Sequence, residues 1–305
     1  MGCQECRPAI SPGLGLAVSV LSISTAAILI RLSSADPLAI AAARLTVSTL
    51  VMIPFLFHAG LGELRSVGGK DLVYLLVVGA SLALHFALWI TSLEYTSVSA
   101  SVLLVTTSPV FVAIFGRFFL GERITGRMLA GIVLGMSGVG LFVVTAGGLS
   151  SELEGMLLAL GGAVAVTVYL IGGRSLRQRL SLLVYVFYVY AFASAMLLAA
   201  SIVYGASLTG LPIGDYVIFL VLGIIPSHLG HTLYNYLLRF LEASVIAVST
   251  LGEPIISSIL ALFFLGEVPS PWILVGGPMV LVGIYLTVRG SNRKPQINRL
   301  IQLAD

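Results

Sequence analysis

Charge is scarce in this chain. Only 10% of its 305 residues are Asp, Glu, Lys or Arg, against about 25% in soluble domains. That shortage excludes a water-soluble globule. A mean hydropathy of +1.08, spread over several long apolar runs, excludes a single buried core. The runs also lack the apolar–polar alternation of barrel strands. Only helices and closed barrels satisfy every backbone group in lipid, so these runs are helices. Cysteine is nearly absent: Cys3 and Cys6 form one CxxC pair, without the partners a four-ligand metal site needs. They read as two reduced cytosolic thiols. "MGCQEC" has no Ser or Thr at its sixth position, as a myristoylation signal wants. The first apolar run is too long for a signal-peptide core and is expected to stay as a span. No G-x-x-x-x-G-K phosphate loop, HExxH or paired aspartates occur. No cofactor, bound metal or nucleic-acid partner is expected.

What is present is a succession of spans at roughly 12–33, 38–58, 71–92, 97–119, 126–146, 153–173, 182–204, 215–238, 243–265 and 270–289. The links are short and leave no soluble domain. The few positive charges orient the bundle. With the N-terminus inside, every Lys and Arg except Arg31 and Arg44 falls in a cytoplasmic segment. The outer link near Glu152 and Glu154 carries none. The expectation is a multi-pass protein of the cell membrane with both termini cytoplasmic, short tails at 1–11 and 290–305, and lipid as its surroundings.

The chain repeats itself. "SPVFVAIFGRFFLGERITGRMLAGIVLGMSGVGLFV" begins at Ser108, and "EPIISSILALFFLGEVPSPWILVGGPMVLVGIYLTV" begins at Glu253. At a constant offset of 145, Pro109 matches Pro254, Phe118–Glu122 matches Phe263–Glu267, Gly131 matches Gly276 and Gly138 matches Gly283. The repeats then occupy 12–146 and 153–289, with five spans each. Five is odd, so the second half is inverted: Glu122 ends its helix inside and Glu267 outside. The fold class is all-α integral membrane protein, ten transmembrane helices in two inverted five-helix repeats. Such repeats are a transporter signature and place the site near the midplane, between the halves.

A mid-span Pro, then "FLGE", then a Gly-rich closing helix, used twice, resembles the EamA-type members of the drug/metabolite transporter superfamily. The run Pro37 to Arg44, the stretch from Val168-Tyr169 to Gly173-Arg174, and Gly252-Glu253-Pro254 are similar to that family's second, sixth and ninth spans. The resemblance covers nearly the whole chain and is specific for fold, not substrate. It implies a ten-helix basket with a cavity lined by the first, third, fourth, sixth, eighth and ninth spans. The two histidines of "PSHLGHTLYNYLLRF" depart from it.

Glu253 lies about ten residues into its span, roughly 15 Å deep at 1.5 Å per residue. A carboxylate there costs roughly 2.5–3.5 kcal/mol on insertion scales and is by default a functional candidate; the bland alternative is a protonated packing residue. Pro254 is expected to kink or loosen the helix. His228 is at matching depth, and His228, His231 and Asn235 step by three and four, so they should share one face turned to the cavity. With Glu253 they can form a proton path, an interhelical pairing, or two to three ligands of a zinc site. His85 and Trp89 stand at i and i+4 in the third span, and at offset 145 Trp89 matches Tyr234. Trp89 can equally anchor at the interface. Tyr169 is a further candidate. Ser108 precedes Pro109 where Glu253 precedes Pro254, so a similar kink with milder polarity is expected. Arg44, near the outer end of the second span, can snorkel, pair with Asp36 or hold an anion; a structural role is expected. Gly131-x-x-x-Gly135 allows a homodimer face that nothing else in the sequence supports.

The expected function is secondary transport of a small organic solute, an amino acid or another metabolite, by export through alternating access, with protons as a candidate coupling partner. The chain does not read as an enzyme. The alternatives are a membrane-embedded metal-dependent enzyme and a non-transporting scaffold.

Overall fold

The computed structural model describes residues 8–59, 62–145, 153–266, 268 and 271–291. Cys3, Cys6, Glu152, Glu267 and the C-terminal tail lie outside that set. The described residues are helical and contain no strand. Helix α1 runs over Pro12–Ser24 and, after a break at Thr25, over Ala26–Leu32. It is followed by α2 (Pro37–Ala59), α3 (Gly69–Tyr95) and α4 (98–120). Next come α5 (Gly126–Thr145), α6 (Leu153–Leu176), α7 (Leu182–Tyr204), α8 (Ile213–Leu237), α9 (Ala243–Leu265) and α10 (Ile273–Gly290). Eight of these, all but α5 and α10, are long and apolar enough to cross a membrane, so this is a multi-pass membrane protein.

Local chemistry sets the ends. Ser11 accepts from the Leu14 amide and is followed by Pro12, and Ser97 and Ser181 cap the starts of α4 and α7 in the same way. Each cap satisfies one of the four orphan N–H groups at a helix start. Gly121 and Gly266, 145 apart, close "FFL" with left-handed φ of 66° and 69°, a conformation that only glycine adopts cheaply.

Small residues let the helices approach, since lipid offers no hydrophobic drive between them. A Cβ on Gly131 would stand 2.5 Å from the Gly283 carbonyl, and one on Gly138 would stand 2.6 Å from the Gly276 carbonyl. Helices α5 and α10 therefore pack backbone to backbone. Gly135 faces Leu251 of α9, so the glycine step that allowed a dimer face is occupied within the chain. Helix α3 packs on α6 through Gly155, Gly161 and Gly162, and α1 packs on α8 through Gly15 and Gly230.

Besides α1, three helices are interrupted midway, each next to a proline. Helix α4 breaks at Thr106–Thr107, ahead of Pro109. Helix α9 tightens into a 3₁₀ turn at Thr250–Gly252, ahead of Glu253 and Pro254. Helix α8 widens into a π segment at Ile225–Thr232, which contains Pro226. In each case the proline removes a ladder donor from the helix.

Candidate functional site

The three interruptions border one cavity of about 50 Å³. Its walls come from α1 (Ile23), α3 (His85, Trp89), α4 (Val105, Thr106, Ser108), α6 (Val166, Tyr169, Leu170), α8 (His231, Tyr234) and α9 (Thr250, Glu253). These are the six spans that the family resemblance implied. At roughly 10–15 Å³ per water, the cavity takes a few waters. A metabolite needs the walls to move.

Glu253 is buried, in the first turn after the 3₁₀ break. Its carboxylate makes no hydrogen bond among the described residues. Across the cavity, the His85 Nδ1 lies 3.0 Å from the Gly162 carbonyl oxygen. Nδ1 therefore carries the proton in neutral His85, leaving Nε2 as an acceptor. The His85 ring stacks on Trp89 at 6.1 Å and meets His231 edge-on at 6.4 Å. His231 also lies 6.1 Å from Tyr169 and 5.3 Å from Phe86. Asn235 donates to the Tyr169 hydroxyl at 2.6 Å, and Ser249 Oγ lies 3.1 Å from the Tyr234 hydroxyl. Trp89 is buried in the cavity wall and not at an interface, and its indole N–H has no hydrogen-bond partner among the described residues.

The shared face expected for His228, His231 and Asn235 does not form. In the π segment the backbone hydrogen bonds reach five residues back instead of four. Residues three apart then no longer stack. His231 turns to the cavity. His228 turns to α2, with Nε2 at 3.1 Å from the Ser48 carbonyl and Nδ1 at 3.3 Å from Thr232 Oγ1. The expectation that His228 and Glu253 face one cavity is corrected accordingly. Asn235 sits behind Tyr169, outside the cavity wall. Among the described residues no three His, Cys, Asp or Glu side chains group as a metal set.

Arg44 also departs from its expected place. Asp36 is engaged with its own helix through the Leu38 amide at 2.8 Å. Arg44 neither snorkels nor pairs with it. The Arg44 side chain is 0% exposed. Its Nε donates to Ser227 Oγ at 3.0 Å, and its guanidinium carbon lies 4.2 Å from the Phe86 ring centroid. An ionisable group inside a span was the available signal. Asp36, nearby in sequence, offered a simpler partner.

A largely apolar, aromatic cavity carrying a few polar groups lies at the broken middles of these helices and is the candidate site. The comparisons identify the group. Residues 12–144 and 153–289 both match the EamA-like transporter family, and the chain belongs to that family. An "Uncharacterized transporter" of Archaeoglobus fulgidus is 24% identical over 274 residues, covering 90% of this chain and 95% of that one. A "Probable terminal-alkyne amino-acid exporter" of Streptantibioticus cattleyicolor is 27% identical over 249 residues, covering 81% and 82%. One crystal structure superposes with a TM-score of 0.77 at 20% identity, over 92% of this chain and 97% of the other. That likeness shows the fold alone.

Proposed function

We propose that this chain is a secondary transporter that exports a small organic solute, an amino acid or another metabolite, with Glu253 carrying a coupling proton. The observation that carries the reading is Glu253 itself. It is a buried carboxylate with no hydrogen bond among the described residues, in a cavity walled by elements of both halves, at the break of α9. The groups facing it across the cavity are His85, Tyr169, His231 and Tyr234. His228 takes no part in this path.

The two halves act as inverted five-helix repeats, 12–146 and 153–289, which exchange two related conformations. Reciprocal contacts support this. Gly131 meets Gly283 while Gly138 meets Gly276, the pattern of a two-fold relation, in which i meets j and j meets i. The clamps repeat as well. Arg31 donates to the Leu93 carbonyl and Arg174 to that of Leu238; the acceptors are 145 residues apart and the arginines 143. Asp215 at the start of α8 accepts from Ser33 and Ser34 after α1. Asp71 at the start of α3 pairs with Arg179 after α6 at 2.7 Å. Ser34 and Arg179 are again 145 apart. With the N-terminus inside, the first latch lies at the outer face and the second at the inner face. With both closed, the small cavity is an occluded state.

The amino-acid part of the reading draws on the exporter named among the relatives. The metal-enzyme alternative would need His228, His231 and Glu253 around one ion, and His228 is directed to Ser48 instead. The test is transport in reconstituted vesicles under an imposed pH gradient. Glu253→Gln keeps the shape and removes the titration. Any transport that remains in the variant should not respond to the gradient. Unchanged pH dependence in the variant would make Glu253 a packing residue.

A further inference from the structure

Arg44 is buried with most of its hydrogen-bonding capacity unused. A guanidinium has five N–H donors. One goes to Ser227 Oγ, and Nη1 and Nη2 are enclosed without a hydrogen-bond partner among the described residues. Buried polar groups are almost always paired, and an exception calls for an explanation. Glu253, of opposite charge, is also buried and makes no hydrogen bond among the described residues. The two do not form an ion pair. The Phe86 ring lies against the guanidinium, and His231 of the cavity wall lies against Phe86. The third unused donor is the Trp89 indole N–H, in the same cavity wall.

We propose that Arg44 and Glu253 are the two poles of a site for a zwitterionic α-amino acid, Arg44 receiving the carboxylate and Glu253 the ammonium group. This rests on the transporter reading and names its substrate class. The planar fork of Nη1 and Nη2 matches a carboxylate with two parallel hydrogen bonds. The ammonium group has three donors, and the Glu253 carboxylate accepts them. The aromatic walls at Trp89, Tyr169 and Tyr234 are left for the solute's side chain. The π segment of α8 holds both Ser227, to which Arg44 is bonded, and His231, which lies between Phe86 and the cavity. Movement of this one segment therefore opens the cavity toward Arg44 and releases its Nε together. An apolar solute or a simple organic cation would leave the Arg44 donors unfilled, which is the stronger basis for rejection.

The test uses the full chain in lipid nanodiscs and thermal-shift titration with each proteinogenic L-amino acid. Each amino acid that stabilises the protein is then compared with its methyl ester, which lacks the carboxylate charge, and its N-acetyl derivative, which lacks the ammonium charge. Both derivatives should bind at least about 30-fold more weakly, the lower end for truncating one partner of a buried charge pair. Arg44→Gln should abolish the discrimination against the ester, and Glu253→Gln the discrimination against the N-acetyl form. If Arg44→Gln does not fold, the comparison of ligands on the unaltered protein decides. Esters that bind as tightly as the free acids overturn the proposal, as does Arg44→Gln that discriminates as the unaltered protein does. Stabilisation by no amino acid also overturns it. A parallel screen of organic cations and neutral metabolites in vesicles separates that result from failure of the transporter reading, because a transported cation would leave transport standing and the zwitterion site refuted.

Discussion

Gly131 and Gly283 touch backbone to backbone. A Cβ on the first would stand 2.5 Å from the carbonyl oxygen of the second, and a Cβ on the second 2.6 Å from that of the first. Helix backbones cannot give way as a flexible side chain can. Gly283→Ala is expected to destabilise by about 1–3 kcal/mol, read as a lower midpoint of thermal unfolding in detergent. Gly140, whose Cβ would meet nothing within 4 Å, is the control. Gly140→Ala should be neutral or stabilising by up to about 1 kcal/mol. Equal effects at the two positions would refute the close packing of α5 and α10.

Glu242, in the link between α8 and α9, accepts a 2.8 Å hydrogen bond from Ser291. Burial pushes its carboxyl above the ordinary value, the Ser291 hydroxyl opposes this, and the neighbouring Glu122 carboxylate adds to it. The folded state thus holds the proton more tightly than the unfolded chain. That stabilisation is complete below the unfolded value and is lost as pH rises through the folded one. Glu242→Gln should flatten this part of the stability profile and be the more stable protein, relative to the unaltered chain, above that range. Parallel unfolding midpoints for the two proteins from about pH 4 to 8 would count against it.

His231 and His228 should separate cleanly. His228→Ala removes the link from α8 to the Ser48 carbonyl, costing about 0.5–1.5 kcal/mol of stability and leaving transport close to normal. His231→Ala alters the cavity wall and should change affinity for any transported solute while altering stability less than affinity. Vesicle uptake measured beside thermal unfolding reads both. Loss of uptake confined to His228→Ala would return the opening of the π segment to the centre of the mechanism.

Orientation can be read by labelling. With Cys3 and Cys6 replaced by Ser, Ser207→Cys in the exposed link between α7 and α8 should react with an impermeant maleimide added outside whole cells. Gln178→Cys, exposed in the link between α6 and α7, should react only after lysis. The reverse pattern would invert the proposed topology.

The sequence by itself determined the membrane class, because lipid leaves a long apolar run no choice but a helix. It determined where α4 and α9 break, because Pro109 and Pro254 cannot donate to the ladder wherever they are packed. The offset of 145 made Gly131, Gly138, Gly276 and Gly283 visible as a set, and it marked Gly121 and Gly266 as twin helix ends. The bounds of α3 moved outward, to Gly69–Tyr95, because polar residues at helix ends are tolerated once the chain leaves the apolar layer.

Only the tertiary structure decided which polar residues meet. Periodicity assumes one helical step, and the π segment at Ile225–Thr232 changes that step in mid-helix, so His228 and His231 part. The fate of Arg44 was equally out of reach. Its partners, Ser227 and Phe86, lie 183 and 42 residues away in the chain, and whether an arginine snorkels, pairs or is enclosed depends on what other helices place around it. Pattern fixes the face of a single helix, but a site between six helices exists only once their packing has chosen the neighbours.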